Sequence, residues 1–122
     1  MAGVEWIVEG HGCGPEGLRD MGRLGALFRA LIDSLDLHVV GEIVWHQFPH
    51  TGGVTGMAML SESHLTCHTF PEHRSICLNL FSCRPRPQWD FEGGLRKHLG
   101  AEEVSVRQVT RDYAAVAARS VA

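Results

Sequence analysis

Val54-Thr55-Gly56-Met57-Ala58-Met59-Leu60 leads through Ser61 and Glu62 into Ser63-His64-Leu65-Thr66-Cys67-His68-Thr69-Phe70, and after a break at Pro71 to Ser75 the pattern resumes in Ile76-Cys77-Leu78-Asn79-Leu80-Phe81. Ile76, Leu78 and Leu80 alternate with other residues, the period-two signature of a strand with one covered face. The stretch from Val54 toward Phe70 reads as one long extended run. Before it, His38 to Phe48 carries Val39, Val40, Ile43, Val44 and Trp45 without helical spacing, which predicts a strand covered on much of both faces. Pro49, His50, Thr51, Gly52 and Gly53 supply a turn between the two. Three neighbouring extended runs joined by short turns predict an antiparallel sheet.

Outward from this centre the pattern changes period. Leu18, Met21, Leu24, Gly25, Phe28, Leu31, Ile32 and Leu35 recur at spacings of three and four, one face of a helix. Gly12, Gly14 and Pro15 punctuate its approach, and Val4 to Glu9 reads as a strand before them. On the other side, Pro85 and Pro87 end the sheet region. Trp89 to Leu99 has a weaker helical pattern in Phe91, Leu95, His98 and Leu99, interrupted by Gly93 and Gly94 and stopped at Gly100. Val104 to Val109 reads as a last strand, and the Ala-rich tail from Ala114 as a frayed end or short helix. The order β-α-β-β-β-α-β predicts an α+β fold: a two-layer sandwich with a mainly antiparallel sheet and both helices on one face. The other face is then left to a second copy, giving an αββα dimer.

The 122 residues allow one domain, 1–122. Apolar residues make up 44% and charged ones 20%, the composition of an ordinary globular protein. A net charge of −3 provides no general attraction to nucleic acid or to an anionic membrane, so neither is expected as a partner. Glu5, Glu9, Glu16, Arg19 and Asp20 argue against a signal peptide, and no apolar run approaches the ~20 residues of a membrane span. A cytoplasmic protein is expected, with Cys13, Cys67, Cys77 and Cys83 as free thiols.

Leu60 to Glu72 gathers hydroxyls, a thiol, two imidazoles and two carboxylates, more chemistry than a buried strand needs. His64 and His68 have the spacing of a helical zinc pair, but four residues along a strand span ~13 Å, too far for one ion. No C-x-x-C pair is present, and no metal is expected. Ser63 beside a histidine could act as a hydrolytic nucleophile, yet the G-x-S-x-G turn that would present it is missing.

Ser61-Glu62-Ser63-His64-Leu65, then His68-Thr69-Phe70-Pro71-Glu72, then Phe81-Ser82-Cys83 closely resemble the bacterial and archaeal S-adenosylmethionine decarboxylase proenzymes, which make their own pyruvoyl group. Gly12-Cys13 with Pro15-Glu16, Gly41-Glu42, Gly53-Val54-Thr55-Gly56 and Leu99-Gly100-Ala101 extend the resemblance over roughly residues 5 to 112. It implies that the Ser63 hydroxyl attacks the Glu62 carbonyl. Elimination then splits the chain into 1–62 (the β chain) and 63–122 (the α chain), leaving a pyruvoyl cofactor at residue 63. His68 takes the role of proton acceptor in processing, Thr55 that of the hydroxyl bonded to the tetrahedral intermediate, and Cys83 that of proton donor in catalysis. The pyruvoyl ketone forms a Schiff base with the substrate amine and draws off the electrons left by carbon dioxide. Phe48, Phe70 and Glu72 match the positions that stack the adenine and hold the ribose. The implied activity supplies the aminopropyl donor for spermidine synthesis, in a homodimer or higher oligomer whose sites commonly draw on two protomers.

Departures from the family pattern are Thr55 for serine, Phe70 for tryptophan, Asn79 for an acidic residue and Arg84 for glycine. They leave two other readings: a pyruvoyl-dependent decarboxylase of arginine or ornithine, and an unprocessed, non-enzymatic nucleoside-binding homologue. For His38, His46, His50, His73 and His98, surface or sheet-edge positions suffice, and for Cys67 and Cys77 packing does.

Overall fold

In the computed structural model, which describes residues 2–114, β1 (Gly3–His11) leads into a single helical turn, α1 (Pro15–Leu18), and the longer α2 (Met21–Ser34). β2 (Val44–Gln47), β3 (Val54–Leu60) and β4 (Ser63–Phe70) follow. A 3-10 turn at Pro71–His73 leads to β5 (Ser75–Ser82), α3 (Phe91–Leu99) and β6 (Glu103–Arg111). The strands form one sheet in the order β2-β3-β4-β5-β1-β6, with every neighbouring pair antiparallel.

The helical spacing seen in the sequence becomes a packed face. Leu24, Leu27, Phe28, Leu31 and Ile32 of α2 and Phe91, Leu95 and Leu99 of α3 share a core with Trp6, Val8, Ala58, Leu65, Cys67, Leu78 and Leu80 from the sheet. Asp20 starts α2 by accepting the Arg23 backbone N–H at 3.1 Å, and Asp90 starts α3 through the Gly93 N–H at 2.9 Å. Such caps satisfy donors that a helix leaves unpaired. Gly100, at φ +68, ends α3 in the left-handed region that glycine tolerates. Gly93 and Gly94 are thus outweighed by a cap, a stop and a buried Phe91-Leu95-Leu99 stripe.

The two-layer α+β fold agrees with the sequence reading, and several boundaries do not. The run 54–70 is two strands, because Ser61 and Glu62 form a two-residue turn that pairs Leu60 with Ser63. Neither turn residue has a left-handed φ, and neither is glycine or proline, so the usual hairpin signal is missing. The strand expected over 38–48 shrinks to Val44–Gln47, an edge strand exposed at Val44, His46 and Gln47 and not one covered on both faces. Val39 contributes only an isolated bridge to Leu60. The helix expected from Leu18 is broken at Arg19–Asp20, where the Asp20 cap restarts it. The expectation for the Ala-rich tail falls, from residue 115 on, outside the described residues. Among the described residues no helix is long and apolar enough to cross a membrane.

With the helices on one side, the alternate residues of each strand stand on the other. Val44, Met57 and Met59 are 65%, 55% and 62% exposed there, a row of apolar side chains that no element among the described residues covers. Charge is paired on the same face: Arg107 forks onto Glu9 at 3.0 Å and Arg111 reaches Glu5.

Candidate active site

The β3–β4 turn sets the first group of residues. Its ladder continues one step past the strands, for the Cys83 backbone N–H donates to the Glu62 carbonyl at 2.8 Å. The Ser61 N–H donates to the His38 carbonyl at 2.9 Å, so the turn is tied on both sides. The Glu62–Ser63 peptide therefore has its carbonyl oxygen fixed on a backbone donor, with the Ser63 hydroxyl on the next residue. A fixed N–H of this kind stabilises charge that develops on a carbonyl oxygen under attack. Arg84 stands beside the same residue, its Nε 2.9 Å from Glu62 Oε2. Tyr113 donates its hydroxyl to the Cys83 carbonyl at 3.2 Å. A cavity of about 290 Å³ opens here, lined by Asp36, Leu37, His38, Ser61, Glu62, Ser63 and Arg86.

A second group occupies the other end of β4. Thr55 and His68 face each other across β3 and β4, with Thr55 Oγ1 3.0 Å from His68 Nδ1. Beside them, Phe48, Phe70 and Glu72 line one cavity of about 320 Å³ with Pro49, His50, Thr51 and Thr69. Thr69 fixes that corner from within: its hydroxyl donates to the Leu18 carbonyl at 2.6 Å and accepts the Val54 N–H at 2.8 Å. Two aromatic rings and a carboxylate around one hollow suit a flat heteroaromatic ring carrying a hydroxylated sugar.

The eight residues expected at the site thus form two clusters: Glu62, Ser63 and Cys83 in one, Phe48, Thr55, His68, Phe70 and Glu72 in the other. His68 stands five residue steps along β4 from Ser63, ~16 Å at strand rise. One chain does not bring the Ser63 Cα within reach of its own His68. Sequence reasoning missed the Cys83 N–H, because a backbone donor has no signature, and missed Arg86 and Tyr113, which carry no motif. Arg84 stood out only as a departure.

The thiols separate by surroundings. Burial pushes the Cys67 thiol up to about 12, despite a hydrogen bond with the Gly56 backbone that acts the other way. Burial also raises Cys77, helped by the negative charge of Glu9. Cys83 is exposed at the end of β5, next to the turn. Among the described residues no three metal-ligating side chains converge.

Known proteins share this arrangement of chain. A family model described as S-adenosylmethionine decarboxylase matches residues 4–112. The S-adenosylmethionine decarboxylase proenzyme of Carboxydothermus hydrogenoformans is 32% identical over 108 residues, spanning 86% of this chain and 82% of that relative. The proenzyme of the same name from Clostridium botulinum (strain Hall) is 27% identical over 114 residues, spanning 90% of this chain and 94% of its own. The crystal structure of the adenosylmethionine decarboxylase from Aquifex aeolicus VF5 superposes with a TM-score of 0.71 at 19% identity, over 89% of each chain, a likeness of fold.

Proposed function

Because the chain belongs to the S-adenosylmethionine decarboxylase family, we propose that it is a proenzyme that splits itself between Glu62 and Ser63 and then decarboxylates S-adenosylmethionine, providing the aminopropyl donor for spermidine synthesis. The observation that carries this reading is the Cys83 N–H held 2.8 Å from the Glu62 carbonyl. It polarises the one carbonyl that the Ser63 hydroxyl must attack, and the same donor stabilises the tetrahedral oxyanion. Processing gives chains 1–62 and 63–122, with a pyruvoyl group where Ser63 stood.

The residues around position 63 fit that group: a hydroxyl residue after a tied turn, an open cavity beside it and an exposed Cys83 thiol at the adjoining strand end. A pyruvoyl group would supply a carbonyl that accepts the electron pair left on the substrate carbon when carbon dioxide departs. Cys83 returns a proton to the substrate carbon. His68 takes the Ser63 Cα proton during processing, and Thr55, whose Oγ1 lies 3.0 Å from His68 Nδ1, supplies the hydroxyl that hydrogen-bonds the tetrahedral intermediate. Phe48 and Phe70 stack the adenine, and Glu72 binds the ribose hydroxyls.

Since Ser63 and His68 lie ~16 Å apart along β4, the working unit is a homodimer. Two copies packed through their open sheet faces about a two-fold axis perpendicular to β4 run their β4 strands in opposing senses, which brings the His68 cluster of one copy to the Ser63 cluster of the other. The exposed Val44, Met57 and Met59 support burial of that face.

Intact-mass measurement of the purified protein tests processing. Two fragments breaking at Glu62–Ser63, the second blocked to amino-terminal sequencing, are expected; a single species that persists on long incubation sinks the reading. Release of carbon dioxide from carboxyl-labelled S-adenosylmethionine, with arginine and ornithine as competing substrates, tests specificity. The hollow lined by Phe48, Phe70 and Glu72 favours the nucleoside, and release from arginine or ornithine alone would reassign the substrate.

A further inference from the structure

We propose that Arg84, with Arg86 beside it, forms a receptor for the carboxylate that processing creates on Glu62, and that Arg84 speeds the elimination half of processing by stabilising this leaving group. The inference rests on the self-processing reading above.

Three observations bring the positive charge to one place. Arg84 Nε lies 2.9 Å from Glu62 Oε2, so its guanidinium already sits on the residue whose carboxyl end is to be freed. Its backbone is fixed, with the Arg84 N–H on Ser82 Oγ at 3.2 Å and the preceding Cys83 N–H on the Glu62 carbonyl at 2.8 Å. Arg86 lines the cavity at Glu62 and Ser63; its Nη1 donates to the Leu35 carbonyl at 3.1 Å, while its Nε is buried with no hydrogen-bond partner among the described residues. A buried charged donor without a partner is costly, which leaves Arg86 with hydrogen-bonding capacity to spare next to the bond to be split. The negative charges on the same cavity wall are Asp36 and the Glu62 side-chain carboxylate, the latter paired with Arg84.

The chemistry says when this charge counts. In the acyl shift, Ser63 Oγ bonds to the Glu62 carbonyl carbon, the C–N bond breaks and the freed amine takes up a proton, so an amide becomes an ester without net charge. In the elimination, a base removes the Ser63 Cα proton, the Cβ–O bond breaks and its electron pair leaves on the Glu62 carboxylate. Residue 63 becomes dehydroalanine, whose imine tautomer takes up water and loses ammonia to give the pyruvoyl group. The acyl shift passes through a transient oxyanion, which the Cys83 N–H holds, and ends neutral, whereas the elimination leaves a lasting new charge on the Glu62 α-carboxylate, beside the side-chain carboxylate that Arg84 already meets. A cation held at that residue lowers the barrier of the second half more than that of the first.

Hydroxylamine separates the two halves, because it cleaves esters and leaves amides intact under mild conditions. Wild type, Arg84→Ala and Arg84→Lys are followed by denaturing gel during processing, with and without a hydroxylamine quench. Since the Arg84 side chain is 69% exposed, the expected effect is modest: Arg84→Ala splits roughly two- to fivefold more slowly. Its unsplit fraction is enriched in chains that hydroxylamine cuts after Glu62, and Arg84→Lys restores much of the rate. An Arg84→Ala chain that splits at the wild-type rate overturns the inference. So does one that stalls as a hydroxylamine-resistant amide, which would assign Arg84 to the acyl shift or to folding. A wild-type chain that never splits defeats the self-processing reading itself, an outcome distinct from both.

Discussion

At Cys83 the backbone and the side chain do different work, and substitution can separate them. The N–H on the Glu62 carbonyl belongs to any residue at position 83 except proline, whereas the proposed proton donation calls on the thiol only after processing. Cys83→Ala is therefore expected to split into two chains and then to decarboxylate some hundredfold more slowly, the usual scale for loss of a general acid; gel analysis beside carbon dioxide release checks both halves. Ser63→Ala removes the attacking oxygen and leaves one intact chain, and an alanine variant that still breaks at that bond would show the site to be misassigned. Cys67 provides a contrast, with its thiol pushed up to about 12 by burial and so inert to thiol reagents in the native state. The motif around Ser63 and His68 could be read because hydroxyls, imidazoles and thiols are visible in a sequence. The Cys83 amide and the unpartnered Arg86 Nε are not, since each acquires meaning only from the chain folded against it.

The elements decide where those groups stand. Gly53, just before β3, lies so close to β4 that a Cβ there would meet the Thr69 carbonyl oxygen at 2.6 Å. Backbone on both sides cannot yield cheaply, and the β3–β4 pairing would have to open at the end that carries Thr55 and His68. Gly53→Ala is expected to cost about 1–3 kcal/mol, read as a lowered urea midpoint, and to slow processing beyond what the lost stability explains. The strand run from Val54 to Phe70 shows where the sequence was hard to parse. Its inward positions are even-numbered through Ala58 and Leu60 and odd-numbered from Leu65 through Cys67 and Thr69, so the turn shifts the alternation by one residue, and the outward Met57 and Met59, as apolar as the inward row, conceal that slip. β2 misled in another way. Its Val and Trp content suits a covered strand, but on an edge, with Val44 facing out, the same residues suit an interface that one chain does not contain. The helices were read more closely because the 3.6-residue stripe of α2 depends on this chain's own core.

For the whole molecule, stability and assembly set the conditions under which the site exists. The His98 imidazole is held below its ordinary 6.5, first by burial and then by Lys97 and Arg23. The unfolded chain therefore binds that proton first, and stability falls as pH drops through 6.5. Glu5 is held below its ordinary 4.5, chiefly by the Asn79 amide and further by Arg111 although burial opposes them, so its contribution is present above 4.5 and lost as pH falls below it. Urea midpoints against pH should decline in these two windows, with His98→Asn flattening the upper one and Glu5→Gln the lower. Assembly makes the sharper demand. If the His68 of one copy serves the Ser63 of the other, Ser63→Ala and His68→Ala proteins each remain unsplit alone, since every site lacks either its nucleophile or its base. In a mixed dimer, one site joins Ser63 of the His68→Ala chain to His68 of the Ser63→Ala chain, and that site is whole. Co-expression with distinguishable tags should therefore yield split His68→Ala chains and intact Ser63→Ala chains, the split share approaching the fraction of mixed dimers. Splitting of His68→Ala by itself would remove His68 from processing. Failure of both chains to split in a mixed dimer, verified by tag capture, would place the two clusters in separate reactions and leave the open sheet face without its catalytic reason to be covered.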